Sequence, residues 1–157
     1  MHAISTFLWF DTEAEEAAGF YTSLFENSRI ISVDHYGSAG PRPAGLVRTV
    51  RFELAGHPLI ALNGGPDHGF TEAMSLLVHC DTQDEVDRLW ELLTDGGEPG
   101  PCGWLKDRYG LSWQIVPRLM FTLLDDPDRV RSEAAMAAML QMGKLDSVAL
   151  QAAFDAA

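Results

Sequence analysis

The chain has 157 residues, of which 46% are hydrophobic and 22% are charged, and its formal net charge is −12 at pH 7. This length predicts one domain, or one domain built from two internal modules with a tail. The acidic balance argues against nucleic acid or an anionic membrane as a partner. The sequence has no apolar run of membrane-spanning length and no basic-then-apolar leader, so we expect a cytoplasmic protein.

The first half of the chain predicts a strand, a helix and then three strands. Residues 4–10 form the predicted first strand, and residues 12–26 repeat apolar positions at the three and four spacing of an amphipathic helix. Strands are predicted over 29–36, 46–54 and 58–62, with a tight hairpin at Ala55-Gly56-His57 between the last two. The sequence Gly64-Gly65-Pro66 ends this first module.

The second half of the chain repeats this order of elements, and part of the amino-acid sequence is repeated as well. Residues 5–15 align with residues 75–85, and Ser, Asp, Thr and Glu coincide. In each copy an apolar run leads into Thr-x-x-Glu, so Thr12 and Thr82 are both predicted to begin a helix with a capping box. The second module is predicted as a strand over 74–80, a helix over 82–93, a Gly-rich stretch, and strands over 104–106 and 111–116.

Pro117 ends the repeated pattern, and helices are predicted over 119–124, 128–142 and 146–156. The expected fold is therefore α+β, with a paired βαβββ domain over 1–117 and a C-terminal helical extension over 118–157. Within the paired domain, the modules cover about 1–66 and 67–117. The Met and Ala side of the middle tail helix is typical of packing, against its own domain or against a partner subunit.

Alternation along the predicted strands divides their side chains between two faces of each sheet. One set is nearly all apolar and is expected to pack under the helices. The other set mixes aromatic rings with a few polar groups, which is typical of a small-molecule pocket. The predicted pocket residues are Phe7, Trp9, Asn63, Leu77, His79, Trp104, Ser112 and Gln114.

Six short segments carry a family resemblance. They are Phe7-Leu8-Trp9-Phe10-Asp11, Glu15-Glu16-Ala17, Phe20-Tyr21, Ala61-Leu62-Asn63-Gly64-Gly65-Pro66, Cys102-Gly103-Trp104-Leu105-Lys106-Asp107 and Gly110-x-Ser112-Trp113-Gln114. Through these segments and the duplicated order, the chain resembles the PhnB-like branch of the vicinal-oxygen-chelate (glyoxalase/bleomycin-resistance) superfamily. The domain label of that branch is 3-demethylubiquinone-9 3-methyltransferase. The resemblance implies an eight-stranded glyoxalase-like cleft formed by the two modules, and a homodimer.

The resemblance also implies where a metal would bind. In metal-using members, the first and last strands of each module supply ligands to one divalent ion. The matching positions here are Ser5, Ala61, Ser75 and Gln114. Alanine has no donor atom and a serine hydroxyl is a poor ligand for a transition metal, so we predict no competent metal site and no cofactor. Without a Lewis acid, the isomerase and ring-cleavage chemistry of the superfamily loses its main catalytic contribution.

These observations leave functions of different classes open. The favoured one is binding of a small apolar or aromatic molecule in the inter-module cleft. The alternative is an enzyme of the same superfamily, of lyase, isomerase or dioxygenase type, in which a divalent metal is held by a non-standard set such as Asp67-His68 or His79-Cys80-Asp81, or in which His79 is a general base. Methyl transfer is suggested by the domain label alone, because no Gly-x-Gly turn follows the first strand. A third class is an interaction protein that uses the Met-rich C-terminal helices.

Overall fold

The computed structural model of the protein describes residues 4–157. The chain divides into two compact units, one ending at Phe70 and the other beginning at Thr71. Each unit contains one βαβββ module, so the predicted α+β class with two such modules and C-terminal helices is confirmed. Within the described part of the chain, no helix is both long enough and apolar enough to span a bilayer.

The first unit is a four-stranded sheet with one helix packed on it. Its elements are β1 (Thr6–Phe10), α1 (Ala14–Leu24), β2 (Arg29–His35), β3 (Val47–Leu54) and β4 (His57–Asn63). The strand order is β1-β4-β3-β2, in which β1 runs parallel to β4 and the other neighbours are antiparallel. The core between helix and sheet includes Leu8, Tyr21 and Phe52, which are all buried.

The second unit repeats this arrangement and adds three helices. Its elements are β5 (Leu76–Cys80), α2 (Gln83–Thr94), β6 (Glu98–Pro99), β7 (Trp104–Lys106), β8 (Ser112–Pro117), α3 (Arg118–Leu124), α4 (Arg129–Met139) and α5 (Ser147–Asp155). The strand order is β5-β8-β7-β6, again with the first strand parallel to the last. The core of the sheet includes the buried side chains of Trp113, Ile115 and Val86.

The two module helices begin in different ways. At α2 the predicted capping box is confirmed: Thr82 Oγ1 accepts from the Glu85 backbone N–H at 3.2 Å, and Glu85 Oε2 accepts from the Thr82 N–H at 3.3 Å. At α1 the prediction is wrong, because Glu13 occupies the N-cap position and Thr12 lies one residue too early. The free N–H of Ala14 is satisfied instead by Asn63 Oδ1, at 2.8 Å, from the end of β4.

Within the second unit, the segment between α4 and α5 is hydrogen-bonded to the βαβββ module. The backbone N–H of Cys102 donates to the Met142 carbonyl at 2.7 Å. The Gln83 amide donates to the Leu145 carbonyl at 3.0 Å and accepts from the Ser147 N–H at 2.9 Å. The Leu145 side chain is fully buried. The three helices pack on one another around Leu123, Ala135, Leu150 and Phe154.

Candidate functional site

The sheet face opposite the module helix, here called the distal face, carries most of the predicted pocket residues. In the first unit, Phe7 pairs with Ile60 and Trp9 pairs with Leu62. Directly paired residues on neighbouring strands point to the same side of a sheet, so these four side chains share the distal face. Phe7 is 53% exposed, which is unusual for a large apolar ring and leaves it available for contact.

Asn63 does not lie on the distal face, so the face predicted for it is wrong. It pairs with Phe10, whose side chain is buried on the helix side of the sheet. Its Oδ1 caps α1, and its Nδ2 donates to the Val47 carbonyl at 3.1 Å. The parallel register with β1 determines which side chains of β4 share a face with Phe7 and Trp9. Alternation along β4 alone does not reveal that register.

Trp9 is held firmly by the loop that follows β4. Its indole Nε1 donates to the Gly65 carbonyl at 2.8 Å, and its ring meets the His68 ring edge to face at 4.8 Å between centroids. A Cβ atom added at Gly64 would overlap the indole ring, so only glycine fits at that position. The indole is therefore a fixed wall of the distal face rather than a mobile clamp.

In the second unit, all five predicted pocket residues share the distal face. Leu77 and Trp104 both pair with Gln114 of the central strand, from opposite sides. The Gln114 amide donates to Ser75 Oγ at 2.9 Å. Ser112 lies two residues before Gln114 on β8, and the fifth residue, His79, lies at the other end of β5. The centre of this face is thus an amide between a leucine and a tryptophan.

His79 is engaged by the helix that follows the sheet. Its ring lies 5.2 Å from the Phe121 ring of α3, and it pairs with the buried Val116. The next residue, Cys80, points to the helix side and is buried, and this burial raises the pKa of its thiol to about 11. A thiol that stays protonated at neutral pH is a poor nucleophile and a poor metal ligand. His79 and Cys80 therefore do not converge on one point.

An ion pair that the sequence reasoning missed lies on the same distal face. Lys106 pairs with Ser112 in the register of β7 and β8, and its Nζ lies 2.5 Å from Glu72 Oε1. Hydrogen bonding and charge attraction to each other lower the pKa of Glu72 and raise that of Lys106, so both stay ionised over a wide pH range. Lys106 has the same strand parity as Trp104, so alternation along β7 could have revealed it.

Ser112 stands out among the polar groups of the second unit. Its side chain is only 1% exposed, and its Oγ has no hydrogen-bond partner within residues 4–157. Buried hydroxyl groups are usually paired, because leaving one without a partner costs about 1–3 kcal/mol.

The residues at the family's metal positions do not fit a chelated ion. The register aligns Gln114 of the second unit with Ile60 of the first, so Ala61 was the wrong counterpart by one residue. Neither Ala61 nor Ile60 has a side-chain atom that could bind a metal. In the second unit, the Gln114 amide donates to the Ser75 hydroxyl. An amide and a hydroxyl are neutral groups, and a transition metal prefers imidazole, thiolate or carboxylate ligands. Among the residues that the structure describes, no three His, Cys, Asp or Glu side chains are grouped to hold a metal.

The first unit also contains a cavity of about 210 Å³ near the start of α1. Its lining comprises Thr12, Glu15, Tyr36, Arg42, Leu46, Val47 and Asn63. The polar lining is largely used within the protein: Arg42 lies 3.6 Å from the Asp11 carboxylate, and the Tyr36 hydroxyl donates to the Asn63 carbonyl at 2.7 Å. No local sequence pattern indicates this cavity, because its walls come from four separate segments.

The two βαβββ modules, each with its first strand parallel to its last, define a protein of the vicinal-oxygen-chelate, or glyoxalase, fold. The family model described as 3-demethylubiquinone-9 3-methyltransferase matches residues 2–116, and the chain belongs to that family. Helices α3 to α5 lie beyond the matched residues.

Solved structures agree with this assignment. The PhnB protein of Bacillus cereus, a candidate 3-demethylubiquinone-9 3-methyltransferase, is 38% identical and has a TM-score of 0.66, and the match covers 74% of this chain and 99% of that one. A protein from Pseudomonas aeruginosa is 21% identical with a TM-score of 0.62, covering 74% of this chain and 98% of its own, and shows the likeness of fold alone. No curated protein matches the chain.

Proposed function

We propose that this protein binds a small apolar or aromatic molecule on the distal faces of its sheets, and that it does so without a chelated metal. The observation that carries the proposal is the row across the second sheet, in which Gln114 lies between Leu77 and Trp104 on neighbouring strands. Leu77 is 39% exposed and Trp104 is half-buried, so both offer apolar surface. An apolar wall with one polar group at its centre suits an aromatic body that carries a hydrogen-bonding substituent.

The first unit also supports binding of an apolar or aromatic molecule, through a different set of side chains. Phe7 and the fixed indole of Trp9 present aromatic surface, flanked by Ile60 and Leu62 on the neighbouring strand. Large aromatic side chains at a partly exposed sheet face are typical of binding surfaces.

Binding can be tested with N-phenyl-1-naphthylamine, an uncharged aromatic probe whose fluorescence rises in apolar surroundings. We expect saturable binding to the wild type, and about tenfold weaker binding to Leu77→Asp, because a carboxylate replaces an apolar contact worth about 1.5 kcal/mol or more. Leu92→Asp is the matched control, since Leu92 is equally exposed, at 38%, but lies on α2. Absence of saturable binding, or an equal loss in both variants, would contradict the proposal.

A metal-dependent enzyme is the competing function, and metal content separates it from binding alone. Elemental mass spectrometry of tag-free protein purified without chelator should give clearly less than one equivalent of zinc, nickel, manganese or iron, before and after incubation with these ions. Near one equivalent per chain would overturn the metal-free proposal. It would also direct attention to His79 and to an assay of His79→Ala.

Two associated predictions concern partners and location. We propose a homodimer and a cytoplasmic protein, as the family resemblance and the sequence imply. Sedimentation equilibrium would test the first, with a mass near 17.3 kDa in place of twice that value counting against a dimer.

A further inference from the structure

One row of side chains on the distal face of the second sheet is rich in hydrogen-bond donors. Lys106 on β7 pairs with Ser112 on β8, and Ser75 immediately precedes β5 on the far side of Ser112. The next row up the sheet is the apolar and amide row of Leu77, Gln114 and Trp104. A ligand whose ring lies on that upper row would therefore place a substituent over Ser75, Ser112 and Lys106.

The hydrogen-bond donors in this row favour a ligand group that accepts hydrogen bonds. Ser75 Oγ accepts the Gln114 amide hydrogen, so the hydroxyl hydrogen of Ser75 is left to be donated elsewhere. The buried Ser112 hydroxyl has no partner among the described residues. The Lys106 ammonium has three N–H donors and no acceptor. Two hydroxyl groups and an ammonium together match the oxygens of a carboxylate or sulfonate.

We propose that this row binds an anionic group, so that the ligand is a small acid with an apolar or aromatic body; this inference rests on the function proposed above. The Glu72 carboxylate shows that such an oxygen fits against the ammonium, since it lies 2.5 Å from Lys106 Nζ. Glu72 is well exposed and lies in the segment before β5, so an incoming anion displaces it from Lys106.

The acidic neighbours of Lys106 set the strength of binding. Besides Glu72, Glu98 pairs with Lys106 in the register of β6 and β7 and adds a second negative charge. A ligand anion must therefore compete with Glu72 and approach Glu98. Removing Glu72 should strengthen anion binding, whereas removing Lys106 should weaken it, and this opposition of sign distinguishes a binding lysine from a merely structural one.

The test compares two probes that differ by one charged group. 8-Anilinonaphthalene-1-sulfonate carries a sulfonate on the same aromatic framework as N-phenyl-1-naphthylamine, which has none. Fluorescence titration gives the affinity for each probe, and the measured quantity is the affinity for the sulfonate probe divided by the affinity for the uncharged probe. We expect Lys106→Met to lower the ratio about fivefold and Glu72→Gln to raise it severalfold, which is the range of an exposed ion pair.

The matched controls come from a second lysine–carboxylate pair of the same unit. Lys144 Nζ lies 2.6 Å from Asp87 Oδ1, with similar exposure, but Asp87 is on α2 and Lys144 is in the α4–α5 connection. Lys144→Met and Asp87→Asn should leave the ratio unchanged, although they change the net charge by the same amounts. A ratio that follows net charge in all four variants would overturn the proposal.

Ser112→Ala supplies an independent readout. We expect it to lower the ratio about threefold through the loss of a donor. The melting temperature should stay equal or rise, because the hydroxyl has no partner to lose within the described chain. An unchanged ratio in Ser112→Ala and Lys106→Met, with both probes still bound, would overturn this inference alone. Failure of both probes to bind would overturn the proposed function as well.

Discussion

The two modules share one strand order and the same parallel register of first and last strands, yet each fixes its helix and its distal face by different contacts. In the second unit, α2 is capped locally by Thr82 and Glu85, whereas α1 is capped by Asn63 from the far end of β4. The register makes Pro117 the counterpart of Asn63, and proline has no side-chain group that could cap a helix. A repeated motif therefore does not guarantee a repeated interaction when a distant residue competes for the same N–H.

The same contrast holds for the aligned pair Trp9 and His79. Each ring is held by the segment that follows the last strand of its own module. For Trp9 this segment is the loop with Gly64 and Gly65, and for His79 it is α3 with Phe121. The chain that leaves the sheet thus determines what each distal face presents at its end, and it gives a rigid indole in one unit and an imidazole against a phenyl ring in the other.

Gly64→Ala should have the largest effect on this contrast. The added methyl group overlaps the indole, so Trp9 must move and give up its hydrogen bond to Gly65. We expect a loss of about 3 kcal/mol in the free energy of unfolding, measured with urea. Gly19→Ala is the control, because its Cβ meets no atom within 4 Å and alanine favours the helix there. A loss in Gly64→Ala that is no greater than in Gly19→Ala would show that the indole is not held as described.

Asn63→Ala should come next, with a loss of about 2 kcal/mol in the free energy of unfolding. The variant removes the α1 cap and the bond to the Val47 carbonyl, and it leaves the buried N–H of Ala14 without its acceptor. Urea unfolding checks the stability, and amide hydrogen exchange at Ala14 checks the cause. Exchange at Ala14 that stays as slow as in the wild type would contradict the role of Asn63 as a distant cap.

Thr82→Ala should cost about 1 kcal/mol of unfolding free energy, the usual value of a local cap. Thr12→Ala at the aligned position should change stability by less than about 0.5 kcal/mol, because Thr12 does not occupy the N-cap of α1. Urea unfolding of both variants gives the comparison directly. Equal losses would mean that the two helices begin alike after all.

The effect that is smallest near neutral pH concerns Cys80, whose aligned residue in the first unit is Phe10. Burial raises the pKa of its thiol from an ordinary 9.0 to about 11, so the folded state keeps a proton that the unfolded state releases. The stabilisation that this difference in pKa provides is fully present well below pH 9 and is lost as the pH rises through 11. At pH 9 the free energy of unfolding has fallen by about 0.4 kcal/mol. Wild type should therefore lose stability between pH 9 and 11 relative to Cys80→Val. Parallel curves for the two proteins would refute the raised pKa.

Local patterns in the sequence predicted most of the fold, because strand alternation and helical periodicity survive in the finished structure. The helix of the first module, for example, was predicted over 12–26 and lies at Ala14–Leu24. The five pocket residues predicted in the second unit share one face, as strand parity indicates, although parity was not used to add Lys106 to them. What failed depended on register between distant strands: the face of Asn63, the choice of Ala61 over Ile60, and the cap of α1. The pairing of Glu72 with Lys106 was missed for a related reason, since the two residues are 34 positions apart in sequence.

The connection between α4 and α5 has a consequence for where this protein can be cut. The family match ends at residue 116, but the backbone of Cys102 and the side chain of Gln83 both bond to residues beyond it. Added at Gly103, a Cβ would contact the buried Leu145 side chain, so the two segments are closely fitted. A fragment ending at residue 116 would lose these contacts and expose the loop before β7. The end of the family match therefore falls inside one compact unit of the structure, which continues to Ala157.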